Sequence, residues 1–131
     1  MSALLLDASV WLAALDPDDA YHRDAAQLIE GSVERGAALA ALDLTLYEVA
    51  DVATARWRSP GDAQRLVELV HAACPGTLER VDGDLLAEAA AIGARHQISL
   101  YEAAHAACAR RRGWTLVSTD VAGVARPGLA I

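Results

Sequence analysis

Short apolar runs alternating with longer helical stretches constrain this chain more than any other feature. Ala3 to Leu6, Ala38 to Leu42, Thr77 to Val81 and Trp114 to Val117 each read as a strand, and Leu129 to Ile131 is a candidate fifth. Helices are expected from Ser9 to Leu15, then from a cap at Asp18 or Asp19 to about Arg35, where Gly36 stops the helix. Others run from Thr45 to Arg58, from a cap at Asp62 to Cys74, from Gly83 to Arg95, and from Ser99 to Arg112 before Gly113. Ser59-Pro60-Gly61 and Pro75-Gly76 are the breaks between them. This order predicts an α/β fold, a mostly parallel sheet of four to five strands flanked by helices. No low-complexity linker interrupts it, so residues 1–131 are expected to form one domain.

Composition narrows the function classes. Hydrophobic residues make up 54% of the chain, which excludes disorder as its main state. No apolar run approaches a membrane span, and no membrane association is expected. The N-terminal stretch MSALLLDASVWLAAL carries no basic residue before Asp7 and is a poor secretory signal, so a cytoplasmic protein is expected. Cys74 and Cys108 fit no metal or redox spacing and read as small core residues. The net charge of −7 argues against capture of nucleic acid by the surface as a whole. All eleven basic residues are arginine, so any mechanism that needs a lysine is excluded.

One segment occurs twice. LTLYEVADVATAR (Leu44 to Arg56) and ISLYEAAHAACAR (Ile98 to Arg110) align without gaps and agree at seven of thirteen positions. The second is apolar on nearly every side of a helical wheel, as expected of an enclosed helix, yet it carries Glu102. A buried carboxylate is costly unless something compensates it. The simpler explanation is helix capping: Thr45-x-x-Glu48 and Ser99-x-x-Glu102 both match a capping box, in which the glutamate reaches back to the N-cap amide. A carboxylate in the first helical turn can equally face the crevice where open α/β sheets bind ligands.

Two further acids favour the crevice. Asp7 directly follows the first strand, and Asp120 follows the fourth through Ser118-Thr119. Either alone would read as a turn residue. Four carboxylates at comparable places would raise one another's pKa unless a cation neutralised them. Oxygen donors of this kind suit magnesium or manganese. Glu102 is then expected both to ligate metal and to cap its helix.

With these residues in view, the sequence resembles the PIN-domain ribonucleases, specifically the VapC-type toxins of toxin–antitoxin pairs. The resemblance covers essentially the whole chain and rests on LLLDASVW, LTLYEVADV, ISLYEAAHAA and LVSTD in that order. It implies a PIN-like three-layer fold and an acidic metal site at Asp7, Glu48, Glu102 and Asp120, with Ser9 and Thr119 as supporting hydroxyls. It also implies endoribonuclease activity with Mg2+ or Mn2+, a cognate antitoxin as partner, RNA as substrate, and a homodimer. The third acidic position is usually aspartate in that family, and here it is Glu102.

Other residues read more plainly. Arg110, Arg111 and Arg112 suit the negative end of their helix, and Arg110 lies roughly 12 Å along the axis from Glu102. Arg56 and Arg58 read the same way. His105 shares a helical face with Glu102 and reads as a satisfied packing histidine. Asp16, Asp18 and Asp19 read as a solvated loop and cap, while Trp11, Trp57 and Trp114 read as core or interface. Receiver domains and haloacid-dehalogenase-like phosphatases also gather acids at strand ends, but both need a lysine. The remaining alternative is a non-catalytic PIN-like module that binds an antitoxin-like protein or RNA without cleaving it.

Overall fold

The computed structural model describes residues 2–119. Asp120 and the candidate strand Leu129 to Ile131 lie outside them. In chain order the elements are β1 (Ala3–Leu6), α1 (Ala8–Leu15), α2 (His22–Arg35), β2 (Ala38–Leu42), α3 (Leu44–Ala55) and α4 (Pro60–Ala73). Then follow β3 (Leu78–Glu79), α5 (Gly83–His96), α6 (Leu100–Arg112) and β4 (Thr115–Val117). All strand pairs are parallel, in the order β3-β2-β1-β4.

Alternation along the strands makes three layers, because successive strand side chains point to opposite faces. Ala3 and Leu5 of β1, with Ala40 and Leu42 of β2, pack beneath α5 and α6. Leu6, Leu39 and Ala41 face the opposite way, onto Val10 and Trp11 of α1, Val49 and Ala53 of α3, and Leu66 and Val70 of α4. Both sheet faces are covered, which is why β1 and β2 are apolar throughout rather than alternating. Helix α6 is the most enclosed, with every residue from Ala103 to Ala109 buried.

Several boundaries differ from expectation for local reasons. Helix α4 is capped by Ser59, whose Oγ accepts from the Asp62 amide at 3.1 Å, and not by Asp62 itself. Pro60 holds Ser59 extended and occupies the first helical position, where its missing N–H costs nothing. Helix α2 starts at His22, because the Asp19 carboxylate first closes a turn by accepting from the Tyr21 amide at 2.8 Å. Strand β3 keeps two residues of the five expected. Among the described residues, no helix is long and apolar enough to cross a membrane.

Candidate active site

The strand order reverses at β1. The chain builds outward through β2 and β3, then returns to place β4 on the other side of β1. A crevice therefore opens beyond the carboxyl end of β1, as open parallel sheets require at such a point. A cavity of about 240 Å³ lies there, lined by Asp7, Ala8, Ser9, Glu48, Ser99, Tyr101, Glu102 and His105. Three of the four expected acids meet in it, from the β1–α1 junction, α3 and α6. Glu48 and Glu102 reach it from helices on opposite sides of the sheet.

Asp7 is the N-cap of α1. Its Oδ1 accepts from the Ser9 amide at 3.0 Å and from the Ser9 hydroxyl, which leaves Oδ2 without a hydrogen bond among the described residues. Ser9 Oγ in turn accepts from the Thr119 amide at 3.0 Å and lies 3.4 Å from Ser118 Oγ. Ser9 thus ties Asp7 to the segment that leads into Asp120. Thr119 reaches this network through its backbone amide, and it lines a separate hollow with Val10, Tyr21 and Leu28.

The two glutamates are held differently from what a capping box requires. Thr45 is not an N-cap: α3 begins at Leu44, the N-cap position is Asp43, and no side chain caps it. Asp43 Oδ1 accepts from the Val81 amide at 3.2 Å instead. Thr45 is fully buried, with its hydroxyl 3.3 Å from His105 Nε2. On α6 one half of the box forms, Ser99 Oγ accepting from the Glu102 amide at 3.1 Å. The reciprocal half does not, so the Glu102 carboxylate is no helix cap. Glu102 Oε2 and Glu48 Oε1 are both buried with no hydrogen-bond partner.

Two orphaned carboxylate oxygens are costly unless a cation or a proton meets them. Glu48 holds a proton more readily than an ordinary glutamate: its pKa is pushed up to about 7, first by burial and then by the Asp7 charge. Oxygen donors left unsatisfied beside a third carboxylate fit a hard divalent cation. Among the described residues no three acids, histidines or cysteines close into a complete metal cluster.

Other candidates are engaged elsewhere. Arg111 pairs with Glu88 at 2.9 Å and Arg112 with Glu79 at 2.7 Å, and the Arg112 guanidinium sits 5.8 Å from the centre of the Trp114 ring. Gly113 ends α6 in the left-handed conformation at φ +68°, as the helix-end reading requires. Burial pushes the Cys74 thiol up to about 12 and the Cys108 thiol up to about 11, so both are inert. Sequence reasoning did not find the Thr45–His105 pair, because two residues sixty positions apart leave no local signal.

A family model described as the PIN domain matches residues 4–123. No curated protein matches the chain. Among solved structures, VapC20 of Mycobacterium tuberculosis, a toxin that cleaves the sarcin-ricin loop, is similar with a TM-score of 0.75 and 20% identity over 98% of this chain and 97% of that one. PAE2754 from Pyrobaculum aerophilum has a TM-score of 0.64 and 24% identity over 100% and 91% of the two chains. FitAcB from Neisseria gonorrhoeae has a TM-score of 0.65 and 16% identity over 90% and 88%. At these identities the likenesses support the fold.

Proposed function

The chain belongs to the PIN-domain family, and from that premise we propose that it is a divalent-metal-dependent endoribonuclease, the toxin of a VapC-type toxin–antitoxin pair. One observation carries the reading: carboxylates from three separate elements line one cavity, and two of their oxygens are buried without partners. Asp7, Glu48 and Glu102 would hold Mg2+ or Mn2+, with Asp120 as the fourth acid. Such an ion supplies an acidified water and charge neutralisation at the scissile phosphate. Ser9 holds Oδ1 of Asp7, and Oδ2 would remain available to such an ion. A cation held there would oppose the burial and repulsion that raise the Glu48 pKa, and so would favour its ionised form.

RNA is the proposed substrate and a small cognate antitoxin the proposed partner, with a homodimer in the cytoplasm as the expected form. The non-catalytic alternative draws on one observation, the absence of a complete metal cluster among the described residues. Incubating the purified protein with RNA and magnesium or manganese, with and without a chelator, separates the two. Cleavage that the chelator stops is expected. Undiminished cleavage in excess chelator overturns the metal mechanism, and binding without cleavage in either metal selects the alternative.

A further inference from the structure

We infer that the hydrogen bond between Thr45 and His105 is a brace that sets the spacing of Glu48 and Glu102, making both residues positioning residues for the metal site. The inference rests on the function proposed above. His105 lines the cavity but is only 2% exposed, and both ring nitrogens are engaged. Nδ1 lies 2.9 Å from the Tyr101 carbonyl oxygen and Nε2 lies 3.3 Å from Thr45 Oγ1. A carbonyl can only accept, so Nδ1 carries a proton and donates it. Burial disfavours the imidazolium, which leaves Nε2 as a lone pair accepting from the Thr45 hydroxyl. In that tautomer the ring has neither a lone pair nor an N–H left for the cavity, and it is neither a ligand nor a proton carrier.

Its position gives it leverage. Residues three apart on a helix are neighbours on one face. Thr45 lies three residues before Glu48 and His105 three residues after Glu102, so the bond joins α3 to α6 one turn from each glutamate. Most of each helix packs on an opposite face of the sheet, Val49 and Ala53 of α3 in one hydrophobic core and Ala103, Ala104 and Ala106 to Ala109 of α6 in the other. Leu44 at the start of α3 also packs against the α6 core, so the bond acts on the distance between the two carboxylates together with that contact. The echoed segment lacks the pair: the position aligned with His105 is Asp51, which is exposed.

The test compares Thr45→Val, which keeps shape and removes the donor, with Thr45→Ser, which restores the donor. The pair His105→Asn and His105→Gln does the same from the other side, glutamine placing an acceptor near the Nε2 position and asparagine one near Nδ1. Manganese affinity, read from the shift of the thermal midpoint and from water-proton relaxation, should fall on the order of tenfold in Thr45→Val and His105→Asn. It should return towards wild type in Thr45→Ser and His105→Gln. Imidazole 15N spectra of the metal-free wild type should show the Nδ1–H tautomer; an Nε2–H tautomer overturns the inference without any variant, which keeps it falsifiable should Thr45→Val fail to fold. Wild-type manganese affinity in Thr45→Val, or a loss that Thr45→Ser does not restore, overturns the brace alone. A wild type that binds no manganese overturns the proposed function with it.

Discussion

The starts of α3 and α6 carry the same Leu-Tyr-Glu triplet, preceded in each case by a hydroxyl residue, yet the two are held by different forces. Ser99 stands outside its helix in an extended conformation and satisfies the amide of Glu102. Thr45 stands inside its helix, and its hydroxyl faces His105. The extra turn position comes from Asp43, whose own conformation is already helical and whose carboxylate is drawn to the Val81 amide. A threonine with a buried acceptor in reach does better as a tertiary donor than as a cap, because an unpaired His105 Nε2 would cost about 1–3 kcal/mol. Identical local motifs thus carry no guarantee of identical local structure. What the two starts share is the outcome, a glutamate whose side chain caps nothing and lines the cavity.

The largest effect should fall on that shared outcome. Glu48→Gln and Glu102→Gln should each lower RNA cleavage at least on the order of a hundredfold, measured under single-turnover conditions with manganese. If one variant cleaves like wild type, the two glutamates are not equivalent and the comparison fails at its functional end.

The next effect separates the two helices without metal. Glu48 is raised from 4.5 to about 7 in the folded protein, by burial and then by Asp7. The native state therefore holds a proton that the unfolded chain has released, and the stability tied to Glu48 is present below 4.5 and lost as the pH rises to about 7. In chelator, wild type should lose stability relative to Glu48→Gln across that window, and then stay below it. Parallel stability curves for the two proteins would show that Glu48 is solvated rather than buried. The smallest effect concerns the caps. Ser99→Ala should cost about 1 kcal/mol of stability, read from denaturant midpoints. Asp43→Ala should leave the start of α3 intact apart from the lost bond to Val81, since no side chain caps that helix.

Much of the architecture was legible because its signals are local. The apolar runs of β1 and β2 and the stops at Gly36, Gly76 and Gly113 depend on side chains within a few residues. The enclosure of α6 could be read from its apolar wheel. The convergence of Asp7, Glu48 and Glu102 followed from placing acids at strand ends and helix starts, a rule of topology rather than of spacing. The capping expectation failed at Thr45, which lies inside α3 with its hydroxyl against His105, a neighbour in three dimensions that no local signal reveals. The Ser59 cap was available from the sequence, since a serine before proline is a stronger helix start than an aspartate three residues after that serine.

The first strand of the chain lies in the middle of the sheet, and one of its two neighbours is the last described strand. During synthesis β1 therefore waits with one edge unpaired until more than a hundred residues have been added. Glu102 emerges late as well, long after Asp7 and Glu48. No shorter nascent chain holds the complete cavity, and no early proteolytic fragment retains it. For an enzyme proposed to cut RNA this order of assembly is a safeguard: until Glu102 has been added, the translating ribosome faces a protein whose cavity is incomplete.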